Sequence, residues 1–140
     1  MSMVLDNAVL VGWVITSQAT EYGKAVATAV RGSNAYAPSL LICEYIDVLR
    51  TACKRENVIA QEVNETIGFL QNLPIFYDAD VPDAMQIFAL AIKYDLSSYD
   101  ASYLELALCK QLPIATQDKA LAQATRTAGV AVFEPLLLGS

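Results

Sequence analysis

The chain contains no histidine, and that single absence removes most of the common hydrolytic machinery. A Ser-His-Asp triad, a Cys-His pair and the usual zinc hydrolases all need an imidazole. Cysteine is also scarce. Cys43 and Cys53 are expected on one helix, where ten residues separate them by about 15 Å, too far for a disulfide. With Cys109 they match no zinc spacing, and all three are expected to be small core residues in a reducing compartment. No apolar run approaches the roughly 20 residues that cross a bilayer. Ala8 to Ile15 is too short, and Leu40 to Leu49 is interrupted by Glu44 and Asp47. Met1 to Leu5 lacks the basic region of a signal peptide, so a cytoplasmic location is expected.

Basic residues are few as well. Nine Lys and Arg stand against fifteen Asp and Glu, a net charge of −6, which weighs against an extended nucleic-acid-binding face. What is abundant is apolar sequence. Hydrophobic residues make up 55% and charged residues 17% of 140, which favours one large core and one domain spanning residues 1–140.

Short apolar segments alternate with longer helical ones. Strands are expected at Met3–Leu5, Ala35–Ala37, Ile75–Tyr77, Leu112–Ala115 and Val130–Phe133. Between them the periodicity predicts helices near Val9–Ile15, Glu21–Arg31, Pro38–Glu56, Ala60–Asn72, Pro82–Tyr94, Ser97–Gln111 and Gln117–Ala128. Strands separated by helices imply an α/β fold, with a parallel sheet of about five strands covered on both faces.

Ligands of such sheets bind beyond the carboxyl ends of the strands. Asp6 directly follows the first strand, and Asp118 comes three residues after Ala115. Glu44 lies in the second turn of the helix after the second strand, and Asp100 in the first turn of its own helix. Gathered on one rim, the four would line an oxygen-rich pocket suited to Mg²⁺ or Mn²⁺. Each has a second explanation. Asp100 completes the capping pattern Ser97-x-x-Asp100, Asp118 follows the good cap Thr116, and Glu44 sits where a solvated edge meets Leu41 and Val48. Asp6 is the hardest to explain away, because a charge directly after a buried strand is costly.

Four ordered blocks around these acids resemble the PIN-domain family, and more closely its VapC-type toxin branch. They are Val4-Leu5-Asp6-Asn7-Ala8-Val9 with Trp13; Pro38-Ser39-Leu40 with Glu44 and Val48-Leu49-Arg50; Leu96 to Tyr103 with Leu106-Ala107; and Leu112 to Leu121, with Gly129-Val130 beyond. The resemblance implies a PIN-like three-layer fold and a metal-dependent endoribonuclease. Asp6, Glu44, Asp100 and Asp118 would hold Mg²⁺ or Mn²⁺, with Thr116 as a helper at the same rim. It also implies an RNA substrate, a homodimer, and a cognate antitoxin whose segment lies in an apolar groove. Trp13 and Tyr22 are candidates for that groove, with core packing the alternative for Trp13.

The chain departs from the family in carrying Ala8 where Ser or Asn is usual, with Asn7 one place earlier, and Ala120 where some members add an acid. The altered surroundings of Asp6 keep a second reading open, a PIN fold that binds RNA or protein without cutting. A phosphoryl-accepting receiver domain is disfavoured, since Met3-Val4-Leu5 supplies no acidic pair and Leu112–Ala115 no Lys. Lys119, Arg126 and Arg50 are candidate phosphate contacts, each with a solvated basic residue as the alternative.

Overall fold

A computed structural model describes residues 2–56 and 60–135. The central strand β1 is Met3–Leu5, and all three of its side chains are fully buried. Residues that point to opposite faces can all be buried only if both faces of the sheet are covered. At about 1.5–3 kcal/mol per large apolar side chain, these few residues anchor the core. Strands β2 (Ala35–Ala37), β3 (Ile75–Tyr77) and β4 (Ile114–Ala115) complete a four-stranded sheet in the order β3-β2-β1-β4. Every pairing is parallel, with Met3 opposite Ala35, Val4 opposite Ile114 and Ala35 opposite Ile75.

The fifth strand expected at Val130–Phe133 is reduced to a single parallel bridge between Val132 and Ile114. Ala131 O accepts from Ile114 N–H and Phe133 N–H donates to Ile114 O, so the chain touches β4 at one residue only. β4 itself is two residues long, which leaves nothing further to pair with.

Seven helices flank the sheet among the described residues: α1 (Asn7–Gly12), α2 (Glu21–Val30), α3 (Leu40–Glu56), α4 (Ala60–Gln71), α5 (Ala84–Tyr94), α6 (Ser98–Lys110) and α7 (Lys119–Thr127). Their starts are set by caps. Asp6, Thr20, Asp83, Ser97 and Asp118 each accept a backbone N–H of the first turn, a contact typically worth about 1 kcal/mol. The Asp83 cap starts α5 later than the expected Pro82. Pro38 likewise precedes α3, where its carbonyl accepts the N–H of Leu41. Helix α1 begins earlier than its periodicity suggests and ends at Gly12, whose missing Cβ leaves room for Gln18 O; a Cβ there would lie 2.8 Å from that atom. A single 3-10 turn, Thr16–Gln18, follows.

Helix α6 runs through the centre, with Ala101 to Leu104, Leu106 and Ala107 buried; it packs against β1, β4, α5 and α7. The expectation of core cysteines is not met: Cys43 and Cys109 are exposed and Cys53 is half-buried. In α3 the buried stripe is Leu41, Tyr45 and Leu49, and Cys43 falls off it by two residues, about 200° around the helix. No described helix is long and apolar enough to cross a membrane.

Candidate functional site

Three helix amino termini carry the predicted acids. Asp6 caps α1, with Oδ1 accepting from Val9 N–H at 3.0 Å, and Asp118 caps α7, with Oδ1 accepting from Leu121 N–H at 2.8 Å. Asp100 lies in the first turn of α6, its N–H donating to Ser97 Oγ at 3.1 Å. Each of these acids therefore stands at a helix start, and in α7 the cap is Asp118 itself rather than the expected Thr116. Unpaired N–H groups and the positive end of the helix dipole make a helix start a favourable place for a carboxylate.

Cross-links over long sequence separations then tie the rim together. The Thr116 hydroxyl donates to Asp6 Oδ2, and Thr116 Oγ1 accepts from Asp118 N–H at 3.1 Å. Thr116 thus links the Asp6 carboxylate to the backbone of Asp118. Glu44, half-buried on α3, accepts from the Tyr103 hydroxyl at 2.5 Å. Tyr103 was not singled out in the sequence. Its only signal there is a polar aromatic one turn after Asp100 on a helix buried nearly all round, where a hydroxyl needs a partner.

Burial and neighbouring charge act on these acids together. Asp6 is only 5% exposed. Burial pushes its carboxyl up to about 6 from 3.8; the Thr116 and Val9 hydrogen bonds oppose the rise, and the Asp100 and Asp118 charges add to it. Burial also raises Glu44, against the Tyr103 hydrogen bond and with help from Asp100. Asp100 is raised by burial and by Asp118. The Tyr103 hydroxyl is held protonated far above its usual range by burial and by its bond to Glu44.

The four acids share one field, yet among the described residues no three acidic or cysteine side chains are arranged as a ready ligand shell for a cation. Asp6 has both oxygens engaged by hydrogen bonds, and mutual repulsion favours keeping the others apart. The donor chemistry nevertheless suits a hard divalent cation, being all oxygen. Among the described residues the ion pairs are Lys24–Glu21 and Arg126–Glu134, and neither neutralises any of the four. Asn7 Oδ1, next along the chain from Asp6, is buried without a hydrogen-bond partner among the described residues. Ala8 points outward on the exposed side of α1, so the support that Asp6 does receive comes from Val9 and Thr116.

Trp13 is a packing residue: half-buried against the core, its indole N–H donates to Gly23 O at 2.8 Å. Tyr22 is placed elsewhere, with its hydroxyl donating to Phe133 O at 2.6 Å and its ring on a groove beside Thr116. A separate acidic group, Glu105 with Asp78 and Asp83, lies close enough for burial and the neighbouring charges to raise Glu105.

A short parallel sheet flanked by helices, with Thr116 and Asp6 joined across the ends of β4 and β1, defines an α/β protein. The model of the PIN domain matches residues 3–126, and the chain belongs to the PIN domain family, whose members are generally nucleases. Among solved structures it is similar to PAE2754 from Pyrobaculum aerophilum, at TM-score 0.68 and 19% identity, covering 89% of this chain and 84% of that one. It is also similar to FitAcB from Neisseria gonorrhoeae, at TM-score 0.65 and 22% identity, covering 96% of this chain and 98% of that one. At such identities the likeness shows the fold. No match is found among curated proteins.

Proposed function

We propose that this chain is a metal-dependent endoribonuclease that hydrolyses RNA phosphodiester bonds, and that it serves as the toxin of a VapBC-type toxin–antitoxin pair. One observation carries the catalytic part. Asp100 stands close enough to Asp6, Glu44 and Asp118 for the charges to act on one another, burial and like charge raise three of the four acids, and among the described residues no cationic side chain is paired to any of them. Such an arrangement is costly unless a cation joins it. Mg²⁺ or Mn²⁺ held by these carboxylates would supply Lewis acidity and positive charge at the attacked phosphate.

The chain's own residues do the positioning. Val9 N–H and the Thr116 hydroxyl fix both oxygens of Asp6, and Tyr103 fixes one oxygen of Glu44. The caps orient α1 and α7 so that Asp6 and Asp118 stay at the rim. Geometry held this way does not have to be found again at each turnover. The test is cleavage of structured RNA in Mg²⁺ or Mn²⁺ by wild type and Asp100→Asn. Wild type is expected to cut and the variant to lose at least about a hundredfold. Equal rates would remove Asp100 from the site, and an inert wild type would remove the nuclease reading.

The toxin assignment rests on the resemblance of the four sequence blocks. Two surfaces suit the partners it implies. A groove of about 580 Å³, with Val14, Ile15, Leu49, Ala52 and Val63 on its wall beside the polar Ser17, Glu62 and Thr66, offers a partly apolar seat for an antitoxin segment. Helix α5 is apolar on its outer as well as its inner face, with Met85, Phe88 and Ile92 84%, 67% and 69% exposed, a pattern that favours a homodimer. The alternative, a non-catalytic PIN module that binds RNA or protein, is favoured by the lack of a ready ligand shell among the described residues. Calorimetric titration with Mn²⁺ separates the two, since a non-catalytic module has no need to take up the ion.

A further inference from the structure

Immediately beyond Thr116 the surface opens into a groove of about 630 Å³, walled by α7 on one side and by Tyr22 and the segment through Val132 and Glu134 on the other. It is the larger neighbour of the acidic rim and shares Thr116 with it. The groove side of α7 presents Lys119, Ala122, Gln123 and Arg126, an i, i+3, i+4, i+7 stripe, while Leu121, Ala124 and Thr125 face inward and are buried. Two cations are therefore set on one line about 10 Å apart along the helix. In a chain with nine basic residues and a net charge of −6, that alignment is the groove's main charge feature. Glu134 on the opposite wall reaches Arg126 at 3.6 Å, but both side chains are mostly exposed, 57% for Arg126 and 76% for Glu134. An exposed pair of that kind is weak and readily exchanged.

The geometry points to this groove as the seat of the RNA strand next to the attacked bond, with Lys119 and Arg126 taking successive phosphates and Glu134 acting as a displaceable stand-in for one of them. The inference rests on the nuclease reading above and deepens it by naming the track of the substrate. A strand whose scissile phosphate lies over Asp6 and Asp118 must leave the acids at once, because each further phosphate there would be repelled. The exit past Thr116 leads it onto the two cations. Tyr22, anchored through its hydroxyl to Phe133 O, forms a fixed ring wall against which a base can stack. An acidic peptide is the rival occupant by charge. It lacks the bases that such a wall accommodates, and it has no reason to continue from the acidic rim.

The experiment measures binding of a labelled single-stranded RNA by anisotropy across a salt series, with Ca²⁺ replacing Mg²⁺ to suppress cleavage, and cleavage of the same RNA in Mg²⁺ alongside. Lys119, Arg126 and Glu134 are exposed, so Lys119→Gln, Arg126→Gln and Glu134→Gln leave the core untouched. Each lost phosphate contact lowers the slope of log affinity against log salt by about 0.7 on a single strand. The expected result is that loss in each of K119Q and R126Q, no change in K93Q outside the groove, and a gain of up to about fivefold in affinity for E134Q. If wild type binds and cuts RNA while K119Q and R126Q keep its slope, the groove assignment falls and the nuclease reading stands. If wild type neither binds nor cuts, both fall. If polyglutamate binds as tightly and loses as much in the two variants, the groove is a peptide site and the RNA track is wrong.

Discussion

Replacing Asp6 by Asn is expected to stabilise the metal-free protein at neutral pH while abolishing its activity. In the fold the carboxyl titrates at about 6 rather than 3.8, chiefly because burial strips it of water. A folded pKa above the unfolded one means that the native state binds the extra proton between those values. Stability from this group is therefore fully present below about pH 4 and is lost as pH rises through about 6. The difference corresponds to about 3 kcal/mol at neutral pH. Asparagine is neutral throughout and escapes that loss. It has one oxygen, however, and cannot accept from both Val9 N–H and the Thr116 hydroxyl, which returns about 1–2 kcal/mol. The net expectation is that Asp6→Asn is more stable than wild type by about 1–2 kcal/mol at pH 7.5, and less stable by a similar amount near pH 4. Urea unfolding in chelator, followed through the single tryptophan, Trp13, reads this directly. At pH 7.5 the thermal midpoint should rise by about 3–8 °C. Adding Mn²⁺ should then stabilise wild type by mass action and leave the variant unmoved. A stability difference that keeps the same sign and size at both pH values would refute the desolvation argument for Asp6.

Three further outcomes are expected. Thr116→Val removes the hydroxyl that lowers the Asp6 pKa, so the acidic limb of the cleavage pH profile should move to higher pH, with a loss of stability of about 1–2 kcal/mol from the buried carboxylate oxygen left without its partner. Tyr103→Phe frees Glu44 from its hydrogen bond and raises its proton affinity further, which should weaken Mn²⁺ uptake in calorimetry at pH 6 more than at pH 8; the loss of stability should be about 1 kcal/mol. Gly12→Ala should destabilise by about 1–2 kcal/mol in denaturant, because the new Cβ would meet the backbone oxygen of Gln18 rather than a side chain that can swing away.

Local chemistry determined a good deal on its own. The strands Met3–Leu5, Ala35–Ala37 and Ile75–Tyr77 fall where their apolar runs place them; a parallel strand covered on both faces must be apolar throughout, as in Met3–Leu5, while the edge strand Ile75–Tyr77 keeps the run with Phe76 exposed. The helix start at Ser97 follows from capping chemistry that needs only the next few residues, whereas α5 and α7 are capped by Asp83 and Asp118 and so start later than the expected Pro82 and Gln117. The absence of histidine and the carboxylates just past the strands already named the acids proposed for the site.

Tertiary structure decided the rest, since it depends on strand order and helix rotation, which no local pattern encodes. Thr116 reaches Asp6 across 110 residues only because β4 lies beside β1. Tyr103 meets Glu44 across 59 residues only because the folded chain brings that point of α6 to α3. The same rotation of α3 and α6 turned Cys43 and Cys109 outward. Residues of one type, Glu44 and Asp47 or Lys119 and Lys93, are alike in sequence. What separates them is which charges each one faces once the chain has closed, because Coulomb energy depends on distance through space rather than along the chain.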